Sequence, residues 1–127
     1  YPSSVFIIQY VHMQLYDWNR LPAEQLNPLI TRRMIHSGQM TIARLELQKD
    51  AAVPEHSHVN EQVCTVERGA LDFAIDGHHQ VVRAGESLVI PPNVPHAVVA
   101  LEDSAAMDIF TPRREDWIAG DDAYLRK

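Results

Sequence analysis

Two histidines separated by one residue are the part of the sequence best suited to chemistry. His56 and His58 flank Ser57, and residues two apart in an extended strand point to the same face, so both imidazoles can reach one ion. Gln62 keeps the same even spacing, so an uninterrupted strand would turn its amide in the same direction. A third imidazole, His96, follows a proline-rich loop and can come from a neighbouring strand. Three neutral imidazoles and one amide oxygen predict a site for one divalent transition metal, with positions left for water or substrate.

This pattern leaves two points open, which residue is the fourth ligand and which metal is bound. A carboxylate is the commoner ligand, and Glu61 lies next to Gln62, but alternation along a strand turns Glu61 to the opposite face. We therefore favour Gln62, whereas a β-bulge would favour Glu61. Nickel, iron, manganese, zinc and copper all accept such ligands. A neutral amide would leave the full charge on the metal and favour Lewis-acid chemistry over oxygen activation.

A competing interpretation needs no metal. Seven histidines in 127 residues could be scattered by chance, and the protein would then be a barrel with buried histidines. Cys64 follows Gln62 at the same two-residue spacing, so it should face the interior as well. Its sulfur could be a further ligand, although a free cysteine is more often a small buried apolar residue.

Short β-rich stretches separated by turn signals make up the chain after Leu29, and no long window shows a helical period. Asp76-Gly77 between two apolar stretches is a strong hairpin signal. Pro22 stands at the first position of a short helical turn, Pro22–Gln25, that would precede the strands. The sequence predicts an all-β sandwich or barrel with eight strands, at Ile30–Ile35, Met40–Gln48, Gln62–Glu67, Ala70–Ile75, His79–Val82, Ser87–Ile90, His96–Ala100 and Ala105–Phe110.

The composition is that of one acidic globular domain. A chain of 127 residues supports one sizeable core, and we assign residues 16–127 to a single domain and residues 1–15 to a leader or an extra strand. Eleven Lys and Arg against 17 Asp and Glu give a net charge of −6 without a basic run, which excludes nucleic acid as a partner. The apolar run Val5–Ile8 is too short to span a membrane, and a single cysteine predicts a cytoplasmic protein. The β-prone segment Val5–Val11 could add a strand to a neighbour's sheet, so we expect a homodimer.

Two glycine-flanked segments carry a family resemblance. The segments read PEHSHVNEQVCTVERG and GESLVIPPNVPHAVVA, and together they resemble the two motifs of the cupin superfamily. The resemblance implies a double-stranded β-helix, or jelly-roll barrel, with His56, His58 and His96 as metal ligands. The chain departs from the family pattern where Gln62 replaces the usual glutamate and where Asn93 replaces a glycine. Asparagine tolerates the left-handed conformation, so the turn can survive.

The segment MDIFTPRREDW near the C-terminus bears a second resemblance. Asp108 and Phe110 lie two apart on one strand face, with Arg114 beyond the strand's end. The segment resembles that of small single-domain cupins that linearise unsaturated uronates in pectin and alginate breakdown. This resemblance implies that Asp108, Phe110 and Arg114 serve the site. A competing interpretation is a solvated, self-neutralising charge run at residues 113–116, with Asp108 facing water.

These observations lead to one preferred function and two alternatives. We expect a metal-dependent enzyme of the isomerase or lyase type that acts as a Lewis acid on a small anionic carbonyl or enol substrate, such as an unsaturated uronate. Asp108 would move a proton and Arg114 would hold the substrate's carboxylate. The alternatives are a cupin dioxygenase that uses iron and consumes oxygen, and a small-molecule binding barrel without catalysis.

Overall fold

The computed structural model describes residues 13–127, which form ten strands and two short helices. The strands are β1 (Glu24–Asn27), β2 (Ile30–His36), β3 (Thr41–Leu47), β4 (Ala52–His56), β5 (Glu61–Arg68), β6 (Ala70–Ile75), β7 (His78–Arg83), β8 (Ser87–Ile90), β9 (His96–Ala100) and β10 (Ser104–Thr111). An α-helix, α1 (Glu115–Ile118), and a 3-10 helix (Ala123–Leu125) follow. The predicted all-β fold is confirmed.

Two antiparallel sheets enclose the core. The larger has the order β1-β2-β3-β10-β5-β8, and the smaller has the order β4-β9-β6-β7. Inward-facing aliphatic and aromatic side chains from both sheets, among them Ile30, Val66, Phe73 and Val98, fill the space between them. Burial of this apolar surface supplies the main driving force for folding.

Two segments differ from the sequence-based expectations. The predicted helical turn at Pro22–Gln25 does not form, and a turn at residues 18–20 precedes Pro22 instead, where the amide of Leu21 donates to the carbonyl of Asp17 at 3.1 Å. A residue that precedes proline is biased away from helical geometry, which explains why the turn ends before Pro22. Glu24–Asn27 instead forms the edge strand β1, which pairs with β2. Its Leu26 reaches the core.

The sequence analysis did not predict strand β4, because this strand contains Pro54. Proline cannot donate a ladder hydrogen bond, so it is confined to edge strands and bulges. β4 is an edge strand of the smaller sheet, and its pairing with β9 is irregular between Val53 and His56, which accommodates the proline.

Two further sequence predictions concern the N-terminal segment and the lack of a membrane-spanning segment. The segment Val5–Val11, on which the expected homodimer rests, lies outside the described residues. Residues 13–15 of the assigned leader form no strand. None of the helices formed by residues 13–127 has the length and apolarity needed to cross a membrane.

Candidate metal centre

Three imidazoles converge at one end of the space between the sheets. His56 ends β4 and lies directly opposite His96, the first residue of β9. His58 joins them from the loop between β4 and β5, so its position does not come from alternation along a strand. The candidate ligand atoms of the three residues lie within 4.8 Å of one another. The structure therefore brings together the three histidines that the sequence singled out, although His58 is positioned by a loop and not by a strand.

The loop that carries His58 is held by hydrogen bonds to neighbouring segments. The carbonyl of His58 accepts a hydrogen bond from the amide of Asn93 at 2.8 Å. Asn93 has a φ of 66°, the left-handed conformation expected where this residue replaces a glycine. The buried side chain of Asn60 donates to the carbonyls of Pro112 and Arg113 beyond β10. These contacts fix the loop against both the proline-rich turn and the segment that follows β10.

Each imidazole donates its Nδ1 proton to a backbone carbonyl two residues away. The acceptors are Pro54 for His56 at 2.8 Å, Asn60 for His58 at 3.0 Å, and Val94 for His96 at 2.8 Å. Such a bond fixes the tautomer, so that the other nitrogen, Nε2, carries a free lone pair. The Nε2 atom of His96 is buried and has no hydrogen-bond partner among the described residues.

The surroundings keep these imidazoles neutral. Burial, with smaller contributions from the neighbouring imidazoles and Arg114, lowers the pKa of His56 to about 4. Burial and the charge of Arg114 lower the pKa of His58 to about 4. Burial, with a contribution from Arg114, also lowers the pKa of His96. Neutral imidazole is the form that binds a metal ion.

Gln62 and Glu61 point in opposite directions. Gln62 is buried, and its Oε1 lies 3.1 Å from the Nε2 of His58, whereas Glu61 is exposed. This is the alternation expected along β5. Of the two candidates, only Gln62 therefore lies beside the imidazoles.

Cross-strand pairing places an acid next to this amide. In the register of β10 with β5, Phe110 lies opposite Gln62, and Asp108 lies opposite Cys64. Asp108 is 7% exposed, and its Oδ1 has no hydrogen-bond partner among the described residues. Burial raises the pKa of Asp108 to about 6, although Cys64, Gln62 and Arg114 all act to lower it. The interpretation in which Asp108 faces water is therefore wrong.

Cys64 shares the interior face with Gln62, as its spacing predicts. Its side chain is 1% exposed. Burial, reinforced by the adjacent Asp108, raises the pKa of the thiol. A raised pKa disfavours the thiolate, which is the form that binds metals. The environment therefore favours Cys64 as a protonated neighbour of Asp108.

Arg114 is buried, contrary to its interpretation as part of a solvated charge run. Its Nε and Nη2 donate to the two carboxylate oxygens of Asp116 at 3.0 and 2.8 Å. Its guanidinium carbon lies 4.0 Å from the ring centre of Trp117 and 4.7 Å from that of Phe110. Such stacking on aromatic rings is favourable for a guanidinium. Arg113 and Glu115 do pair with each other near the surface, so the charge-run interpretation holds for them.

The C-terminal segment adds a residue that the sequence analysis missed. Tyr124, in the 3-10 helix, stacks on the ring of His56 with centroids 4.6 Å apart and an interplanar angle of 28°. Its hydroxyl oxygen accepts hydrogen bonds from Arg114 Nη2 at 2.9 Å and from Trp117 Nε1 at 3.3 Å. Helices of three or four residues carry no periodic signal, so nothing in the sequence pointed to this position.

One cavity is lined by most of these side chains, although His58 is not part of its lining. Its polar lining comprises His56, Gln62, Cys64, His96, Asp108, Arg114 and Tyr124. The rest is apolar and comes from the inner faces of both sheets and from Trp117 and Leu125 of the two short helices. A mostly apolar cavity with a few convergent polar groups is typical of a small-molecule site.

Comparisons with known proteins agree on one fold. A family model described as a cupin domain matches residues 43–111. The pectin degradation protein KdgF of Dickeya dadantii is 29% identical over 100 residues, which are 76% of this chain and 91% of that protein. The structure of KdgF from Halomonas sp. superposes with a TM-score of 0.78 at 26% identity, over 84% of this chain and 99% of the other. An RmlC-like cupin from Shewanella frigidimarina gives a TM-score of 0.77 at 26% identity, over 84% and 96% of the two chains.

Proposed function

Because the chain belongs to the cupin family, we propose that it is a metal-dependent enzyme that opens the ring of a small unsaturated uronate. The observation that carries the proposal is the convergence of His56, His58 and His96, whose candidate ligand atoms lie within 4.8 Å of one another, at a cavity that Asp108 also lines with a buried carboxylate oxygen unpartnered among the described residues. The similarity to two KdgF proteins, one of them described as a pectin degradation protein, supports a substrate class derived from pectin.

The contact between His58 and Gln62 supports a cation at this position. Because Nδ1 of His58 gives its proton to Asn60, the Nε2 atom is an acceptor, yet it lies 3.1 Å from the Oε1 atom of Gln62, which is also an acceptor. Two acceptors at this distance repel each other unless a cation lies between them. About 3 Å is also the usual spacing of neighbouring ligand atoms around one metal ion with bonds of about 2.1 Å.

The orientation of the Gln62 amide is consistent with this assignment. With Oε1 turned toward His58, the amide nitrogen remains to donate toward Asp108, whose pKa it lowers. The opposite orientation would place the amide oxygen against the carboxylate of Asp108, which is unfavourable unless that carboxyl is protonated. Gln62 thus links the metal ligands to the acid.

A bound divalent metal would supply Lewis-acid polarisation of a substrate oxygen. Asp108, as the carboxylate, takes the proton of the hydroxyl at C1 of the cyclic sugar, and the bond between C1 and the ring oxygen breaks as the aldehyde forms. The released electron pair passes through the C4–C5 double bond, and C4 receives a proton from Asp108 while C5 becomes a ketone. The product is an isomer of the substrate, because one proton has moved and no atom has been gained or lost. A single buried carboxyl group suffices for both transfers.

Arg114 and Phe110 support this reaction by binding and positioning. The charge of Arg114 acts on Asp108 and on all three histidines, so it would also stabilise an anionic substrate. Phe110 packs edge-on against His58, with ring centres 5.5 Å apart, and also stacks with Arg114. Phe110 thereby holds the imidazole ring of His58 and the guanidinium of Arg114 in fixed positions.

The test is conversion of 4,5-unsaturated galacturonate by the metal-loaded protein. We expect the ultraviolet absorbance of the C4–C5 double bond to fall well above the spontaneous rate, without oxygen uptake. Treatment with a chelator should return the rate to the spontaneous value, and adding back the metal should restore it. A fully metallated protein that leaves the rate unchanged would overturn the proposal, and oxygen uptake during turnover would favour a dioxygenase instead.

A further inference from the structure

Two neighbouring side chains orient the hydroxyl group of Tyr124. A phenolic oxygen has two lone pairs and one proton. Arg114 Nη2 and Trp117 Nε1 both donate to this oxygen, and neither can accept a proton in return. The proton of Tyr124 must therefore point away from both donors, and no residue in the described part of the chain accepts it.

The adjacent guanidinium has one nitrogen in a similar state. Nε and Nη2 of Arg114 are occupied by Asp116 and Tyr124, whereas Nη1 makes no hydrogen bond with any residue between 13 and 127. Both Arg114 and Tyr124 line the cavity that His56 and His96 also line. The cavity wall therefore offers two unused donors, one charged and one neutral, that belong to side chains already hydrogen-bonded to each other.

We propose that Tyr124 is a substrate-binding residue that donates its hydroxyl proton to the carboxylate of the bound substrate, together with Arg114 Nη1. The inference rests on the proposed function, since it assumes an anionic sugar in this cavity. A carboxylate accepts two hydrogen bonds at once, and a charged donor beside a neutral one holds it more firmly than the charge alone.

The stacking of Tyr124 on His56 fixes the position of the Tyr124 hydroxyl in the cavity. The ring lies 4.6 Å from that of His56, and the Nδ1 bond to Pro54 anchors His56 in turn. The 3-10 helix that carries Tyr124 is fixed to the barrel by Asp122, which accepts hydrogen bonds from Arg32 at 2.8 Å and from Arg126 at 2.9 Å. The donor is therefore held at a set distance from the metal ligands before substrate arrives, which reduces the entropy lost on binding.

The variant Tyr124→Phe separates this role from a structural one, because it removes the hydroxyl and retains the stacked ring. With metal-loaded protein and D-galacturonate as the probe, calorimetry should show a Kd raised about tenfold, the usual effect of losing one hydrogen bond to a charged group. Affinity for D-galactose, which lacks the carboxylate, should be unchanged. With the unsaturated substrate, KM should rise by a similar factor and kcat should stay within about twofold, as expected when uniform binding is lost.

The control variant is Asp122→Asn, which loosens the segment that carries Tyr124 but leaves its hydroxyl in place. It should lower the melting temperature without removing the preference for galacturonate over galactose. If Tyr124→Phe binds galacturonate as tightly as the wild type does, or if the wild type shows no preference for it, the inference is wrong. A wild type that prefers galacturonate, loses this preference in Tyr124→Phe and yet fails to convert the unsaturated uronate would refute the proposed reaction and support the binding role.

Discussion

Asp108→Asn is expected to lower kcat about a thousandfold while the protein stays folded and binds its full complement of metal. Positioned general acid–base groups contribute about 10² to 10⁴ in rate, and the proposed ring opening uses this carboxyl for both proton transfers. Asparagine is close to aspartate in size and its oxygen can still accept from Gln62, so the neighbouring amide keeps a partner. The measurement is kcat with 4,5-unsaturated galacturonate, together with metal content on the same sample.

Asp72→Asn is the matched control for this experiment. Asp72 lies on β6, where it pairs with the exposed His79 at 3.1 Å, outside the cavity. The same chemical change there should leave kcat within about twofold of the wild type, since surface pairs of this kind contribute little. An Asp108→Asn enzyme that retains its metal and turns over nearly as fast as the control would contradict the assignment of Asp108 as the proton carrier.

Gly69→Ala is expected to destabilise the fold by about 4 kcal/mol, because two costs combine there. Gly69 has a φ of 88°, which is strained for a residue with a side chain. A Cβ atom at this position would also overlap the Ser104 hydroxyl and the Asp103 carbonyl, and it would lie 2.8 Å from the Cα of Ser104. The Ser104 hydroxyl accepts a hydrogen bond from the amide of Ala70 at 3.1 Å, so displacing it costs a buried interaction as well.

Gly85→Ala isolates the backbone strain from the steric overlap. Gly85 has a φ of 87°, but a Cβ atom there would meet nothing within 4 Å. The free energy of unfolding, measured with urea, should fall by about 1–2 kcal/mol for Gly85→Ala and by clearly more for Gly69→Ala. Equal losses in the two variants would show that the close approach of Ser104 to Gly69 is unimportant.

The position of Gly69 connects this stability effect to the site. The residue joins β5, which carries Gln62 and Cys64, to β6 in the other sheet, which pairs with β9 and its His96. The crossing therefore sets the relation between the two sheets that supply the candidate ligands. Gly69 therefore helps to position the candidate site, although it does not line the cavity.

Much of the site could be predicted because alternation along strands is a local property. Asp108 and Phe110 share the inner face of β10, as two-residue spacing requires, and Gln62 and Cys64 share the inner face of β5 in the same way. Eight of the ten strands formed by the described residues were also predicted, since turn residues such as Asp76-Gly77 separate the apolar stretches clearly, whereas β1 and β4 were not.

The rest depended on contacts between distant parts of the chain. Arg114 is buried because aromatic rings and Asp116 surround it, which its charged neighbours in the sequence do not reveal. Tyr124 reaches the site because Asp122 pairs with Arg32, 90 residues away. Such pairings have no local signature, and short terminal helices are fixed by packing rather than by their own propensity.

The most direct test of the metal centre is the amount of metal bound per chain after saturation and dialysis. With nickel, iron, manganese, zinc or copper offered in turn, we predict about one ion per chain for the wild type with at least one of them. The control variant His78→Ala, which changes an exposed histidine of β7, should bind the same amount, whereas His96→Ala should retain less than about a tenth of it, because a missing ligand weakens such sites severely. A wild type that binds none of the five metals, or a His96→Ala protein that still holds a full equivalent, would contradict the account.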